Sequence, residues 1–108
     1  MNDAKKNRKL VREYSGKGQI RLKRHAFIRC VERQIKMVEV EEALMNSEVI
    51  ASYTEDIPLK SYLLLGFTQN KRPLHIVAAI DEVAQLVWVI TAYEPDKTQW
   101  NDTLTKRI

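Results

Sequence analysis

Two histidines, His25 and His75, are each accompanied by arginine: Arg29 and Arg33 follow the first, and Arg72 precedes the second by three positions. Together with Tyr93 they supply the residue types for cleaving an RNA phosphodiester without a metal. In that reaction the 2′-hydroxyl loses a proton, the departing 5′-oxygen gains one, and the phosphorane between them needs cationic stabilisation. Histidine titrates near neutrality and can serve either proton step. Arginine presents a planar, permanently charged fork to phosphate oxygens. Each residue also has a structural reading. His25 opens a helix with its ring half exposed, and Arg29 and Arg33 pair with acidic strands. Arg72 sits in a turn. His75 is a satisfied sheet histidine, and Tyr93 caps the core at a strand end.

Other chemistries lack their residues. The chain has no glycine-rich phosphate loop, no cysteine pair for zinc, no His-Glu-x-x-His helix and no G-x-S-x-G elbow. No carboxylate is spaced to join either histidine in a metal site, so neither metal nor cofactor is expected. The single cysteine, Cys30, reads as a buried thiol, and Trp88 and Trp100 read as packing residues.

The elements that must position these groups are set by periodicity. Residues 1–19 read as a basic, polar lead-in, with Leu10, Val11 and Tyr14 able to support a short helix before Gly16 and Gly18. Residues 20–23 alternate apolar and basic, as a short strand or an extended entry. The spacing of Phe27, Ile28, Val31 and Ile35 predicts a helix over 24–35 with that stripe inward. A second helix over 38–46 buries Val40, Ala43 and Leu44. Four strands come next, over 49–54, 59–68, 74–80 and 86–93, joined by short polar turns that imply antiparallel hairpins. Pro95 ends the last strand. Asp96 and Gln99 resemble a capping box. Trp100, Leu104 and Ile108, at i, i+4 and i+8, imply a short terminal helix that docks, or an amphipathic segment awaiting a partner.

If Thr68 pairs with Pro73, His75 stands opposite Gly66. If Ile80 pairs with Leu86, His75 faces Thr91, with Tyr93 as its diagonal neighbour. A slip of one residue would send His75 to the other face.

Length and composition fit a lead-in over 1–19 and a single α+β domain over 20–108. No apolar run is long enough to span a bilayer, and the charged start lacks an apolar h-region. With one cysteine and no signal segment, a cytoplasmic location is expected. The net charge of +4 is unevenly spread. Residues 1–36 carry twelve Lys/Arg against three Asp/Glu, a local +9; residues 37–108 carry six against eleven, a local −5. Such a basic region suits RNA or DNA, or an acidic protein. Lys17, Arg21, Lys23, Arg24 and Arg29 are its candidate nucleic-acid-binding residues.

Three groups of segments carry a family resemblance. The first is His25-Ala26, Arg33-x-Ile35, Val40-Glu41-Glu42-Ala43-Leu44 and Glu48-Val49-Ile50. The second is Leu64-Leu65-Gly66-Phe67 with Arg72-Pro73-Leu74-His75-Ile76-Val77. The third runs from Val89 to Asp96 and ends at Trp100. In this order they resemble the bacterial family called domain of unknown function 4258, over about residues 20–101. That family resembles in turn the RelE-like toxin superfamily, whose small α+β domains often cleave RNA. The resemblance implies two N-terminal helices packed on a four-stranded antiparallel sheet. It directs attention to His25, Arg33, Arg72, His75 and Tyr93 as catalytic candidates, with RNA as substrate and an antitoxin protein as partner. The alternative is a non-catalytic module of the same fold that binds nucleic acid or protein.

Overall fold

A computed structural model describes residues 3–55 and 58–108. Its elements run α1 (Asp3–Gly16), β1 (Ile20–Leu22), α2 (Arg24–Glu32), α3 (Met37–Met45), β2 (Glu48–Tyr53), β3 (Ser61–Phe67), β4 (Pro73–Asp81) and β5 (Leu86–Tyr93). The five strands form one sheet in the order β1-β5-β4-β3-β2. Three helices pack on one face, so the architecture is α+β.

The expected four-stranded antiparallel sheet is corrected in one respect. Residues 20–22 join it as a fifth strand, parallel to β5, with Ile20, Arg21 and Leu22 opposite Val87, Trp88 and Val89. A parallel neighbour needs a long crossover, here most of the chain, and no local pattern announces it. The basic lead-in is helical from Asp3 to Gly16, and its Val11 and Tyr14 belong to the main core. Among the described residues, no helix is long and apolar enough to cross a membrane.

The inward stripe of α2 is also corrected. Ala26 and Cys30 are its buried residues, whereas Phe27 and Val31 are 61% and 63% exposed. Small side chains let the helix lie close on β5, and the bulkier apolar stripe is turned outward. A four-residue link, with Gln34 at φ 57°, leads to α3. There the Glu39 carboxylate takes the Lys36 backbone N–H at 2.9 Å and caps the helix. Val40, Ala43 and Leu44 are buried as expected.

Helix α3 sits hard against β3. A Cβ built on Gly66 would lie 2.0 Å from the Ala43 carbonyl oxygen, so only glycine allows this approach. Gly66 therefore serves the helix face and does not open space for His75. It pairs with Leu74, and Leu65 stands opposite His75. Thr68 does not pair with Pro73. It closes the turn through its own N–H on Arg72 O at 2.9 Å, with Lys71 at φ 68°.

Strands β4 and β5 hold the second register correction. Asp81, not Ile80, pairs with Leu86, and the pairing then shifts by one residue at a bulge after Val89. The two shifts add to two residues. His75 accordingly faces Tyr93 directly, with Thr91 two positions back opposite Val77.

The sheet's far face has its own small core, in which Leu63 and Leu65 meet Trp100 and Leu104. The segment after β5 covers this face, but it is not a helix. Asp96 Oδ1 accepts the Thr98 N–H at 2.8 Å, and Asn101 Oδ1 accepts those of Thr105 and Lys106 at 2.9 and 3.2 Å. These side-chain-to-backbone bonds fold the segment into turns closed by a Trp100–Arg107 bridge. Ile108 is left 85% exposed.

Candidate functional site

Alternation along β4 decides the fate of His75. Leu74 and Ile76 point into the helix-side core, so His75 projects from the opposite face. There it is wholly buried. Its Nε2 lies 2.7 Å from the Leu104 carbonyl oxygen and its Nδ1 lies 3.3 Å from Tyr93 Oη. A carbonyl only accepts, so Nε2 carries the hydrogen and Nδ1 takes the Tyr93 hydroxyl proton. The Trp100 ring stands edge-on to the imidazole at 4.4 Å, and Tyr93 does so at 5.3 Å. Leu104 holds its carbonyl in place from φ 63°, a left-handed conformation that costs a leucine energy.

Burial pushes His75 below its usual 6.5, more strongly than the Leu104 hydrogen bond raises it. Burial likewise pushes Tyr93 up, with Tyr53 adding to the effect and Arg107 and Arg33 opposing it. Both groups are therefore neutral at pH 7. Between the lowered folded value and the unfolded one, the unfolded chain binds the extra proton. Stability is thus fullest above about pH 6.5 and declines as the pH falls below it. Urea midpoints are expected to drop from about pH 7.5 to about pH 5.5, with a smaller drop in His75→Gln. Equal drops in the two proteins would remove His75 as the cause.

Arg33 reaches the same edge from the helix layer. Beyond Val89, β5 has no strand partner on its β1 side. Arg33 fills that place, its Nη1 donating to Ala92 O at 2.8 Å and to Thr91 Oγ1 at 3.3 Å. Thr91 lies on the tyrosine's face, so Arg33 puts positive charge beside the His75–Tyr93 pair.

The other two catalytic candidates fall elsewhere. His25 is exposed on α2, across the sheet from His75. Arg72 is a latch: its Nε donates to Glu94 at 2.7 Å, its Nη1 to Glu39 at 3.2 Å and to Gln34 O at 3.0 Å, and its Nη2 to Arg33 O at 3.3 Å. These bonds tie the α2–α3 link to the end of β5. The Lys36 N–H above all, and Arg72 after it, hold Glu39 below the usual carboxylate range against the opposing effect of burial. Arg72→Met would take the guanidinium away from Glu39, Glu94 and two backbone carbonyls, with the Lys36 N–H remaining on Glu39. A loss of about 2–4 kcal/mol is expected by urea denaturation, and a loss under about 1 kcal/mol would make the latch incidental.

A family model described as "Domain of unknown function (DUF4258)" matches residues 22–94. The chain belongs to that family. The matched DUF4258 span takes in α2, α3 and β2 to β5, and with them Arg33, His75 and Tyr93. Helix α1 and the Trp100–Leu104 cover lie outside it. No curated protein and no solved structure matches the chain significantly.

The basic residues of this DUF4258 chain divide between two sides. Arg21 shares the far face of the sheet with Trp88, its register partner. Lys23 Nζ lies 4.6 Å from the Trp88 ring centroid. Trp88 is only partly buried, so it offers a ring surface as well as packing. Lys17 and Arg24 are exposed, and Arg29 is paired with Glu32 at 3.0 Å. Sequence reading passes over Leu104, Arg107 and Tyr53 as neighbours of the pair. No spacing rule joins a carbonyl in a terminal turn to a strand histidine. The one signal is for Thr91, which shares parity with Tyr93 and His75 in the expected register.

Proposed function

We propose that the chain is a metal-independent ribonuclease of the RelE-like toxin kind, acting through Tyr93 with His75 behind it. The observation that carries this reading is the Tyr93–His75 contact. A neutral imidazole, fixed in one tautomer by Leu104, accepts the hydroxyl proton of a tyrosine beside Arg33. This has the logic of a relay, in which a base oriented by a third group draws on a hydroxyl.

In the reaction, an RNA 2′-hydroxyl gives its proton to Tyr93 Oη while the tyrosine's own proton passes to His75 Nδ1. The 2′-oxygen bonds to phosphorus, the bond to the 5′-oxygen breaks, and that oxygen takes a proton from solvent. The products are a 2′,3′-cyclic phosphate and a 5′-hydroxyl. Arg33 has Nε and Nη2 donors to direct at the phosphorane, since its bonds to β5 use Nη1. A single strand laid along β5 would meet Trp88 and Lys23 by stacking and charge, then Thr91 and Arg33, then Tyr93. A cytoplasmic location and a neutralising antitoxin belong to the same reading.

One observation favours the alternative of a non-catalytic nucleic-acid-binding module. His75 is wholly buried with both nitrogens partnered, as a structural histidine would be. The deciding experiment is single-turnover cleavage of labelled RNA by the wild type and by Tyr93→Phe, in the presence of a chelator. Cleavage by the wild type and none by the variant supports the ribonuclease. Salt-sensitive binding without turnover by either supports the binding module.

A further inference from the structure

The outward stripe of α2 has no role in RNA cleavage. Phe27, Ile28 and Val31 on α2, and Met37 and Val38 on α3, are each at least 40% exposed. Of these, Phe27, Val31 and Met37 line a hollow of ≈230 Å³ bounded by β1, α2 and α3, with Ile20 and Val40 among its other lining residues. Soluble monomers seldom present so many large apolar side chains together unless something covers them.

The charge around the hollow says what that something carries. Arg21 lines it. Arg24 precedes Phe27, Ile28 and Val31 by three, four and seven residues and so lies on their stripe. Lys36 sits between Ile35 and Met37. All three are exposed, and none forms a salt bridge among the described residues. Glu41, a turn beyond Met37, is an acidic exception at the far end of α3.

We infer that this hollow docks an amphipathic helix of a second protein, with an apolar stripe seated between α2 and α3 and acidic residues against Arg21, Arg24 and Lys36. Apolar anchors at i, i+3, i+4 and i+7 are what a groove between helices receives. A second copy of the chain fits poorly, because it would bring these three cations against their own counterparts. The interface stands whether or not the chain cleaves RNA, and its test involves none.

Two labelled peptides of about twenty residues serve as probes, long enough to hold a helix. Both carry leucines at the anchor spacing, with Glu and Ala elsewhere in one and Lys and Ala elsewhere in its twin. Fluorescence anisotropy against the full chain is expected to show the Glu peptide binding at least about tenfold tighter than the Lys twin. Val31→Ser, at an exposed position, should keep the melting temperature and weaken binding severalfold. Arg24→Ala should narrow the gap between the twins. Absent binding, equal binding of the twins, or binding indifferent to Val31→Ser overturns the inference. Concentration-dependent dimerisation lost in Val31→Ser would also overturn it, by giving the face to a second copy.

Discussion

Tyr93→Phe is expected to abolish RNA cleavage and leave the fold in place. The substitution removes one atom, Oη. The ring keeps its edge contact with His75, and the hydrogen bond lost is a long one at 3.3 Å. Its loss should cost no more than about 1 kcal/mol. The rate should fall at least about 100-fold, the lower range for removing a positioned proton-transfer group. Thermal unfolding and single-turnover cleavage of labelled RNA measure the two separately. His75→Ala is the poorer probe. It would strand the Leu104 carbonyl and the Tyr93 hydroxyl and leave a cavity beside Trp100, so lost activity would have two causes. Wild-type cleavage in Tyr93→Phe would take the tyrosine out of the mechanism. A fully folded wild type that binds RNA without cutting it would move the site to the binding reading.

Gly66→Ala should destabilise the protein by more than about 3 kcal/mol. The new methyl would lie 2.0 Å from the Ala43 oxygen and 2.6 Å from its carbonyl carbon, and both are helix backbone. No rotamer change relieves such a clash. Helix α3 must lift off β3, or the strand must bend away and break its pairing with Leu74. Against a total of about 5–15 kcal/mol for a domain of this size, that is a large share. Urea denaturation is the measurement, with Gly16→Ala as control. A Cβ there meets only the Met45 side chain, no closer than 3.5 Å, so the control should shift by less than about 1 kcal/mol. Equal shifts at the two glycines would show that the α3–β3 contact is soft.

Much of this frame is legible in the residues. β2 to β5 announce themselves by apolar runs between polar turns, and α3 by Val40, Ala43 and Leu44. The resemblance to the DUF4258 family is borne out by the match over residues 22–94. What escapes is non-local. Periodicity marks an apolar stripe on α2, but it cannot tell that small Ala26 and Cys30 suit a close sheet better than Phe27 and Val31. Trp100 and Leu104 obey helical spacing and do reach a core, yet Asn101 Oδ1 takes the N–H groups of Thr105 and Lys106 and folds a turn instead. Arg72 reads as a phosphate ligand by type. Its partners, Glu39 and Glu94, lie 33 and 22 residues away, and only the tertiary fold assembles them.

The bulge in β5 ties the site to the count of residues as much as to their kind. If Ile90 were taken into the ladder instead of being bulged out, the pairing of Ala79 with Trp88 would continue unshifted. His75 would then face Ala92, and Tyr93 would stand opposite Leu74 on the helix side. Every residue of the pair would still be present, and the pair would not exist. In this fold, losing the bulge while Ile90 stays acts as a substitution of both partners, whereas removing Ile90 together with its bulge leaves His75 facing Tyr93. Two relatives that both retain the histidine and the tyrosine share this chemistry only if spacing and bulge together bring the two residues face to face.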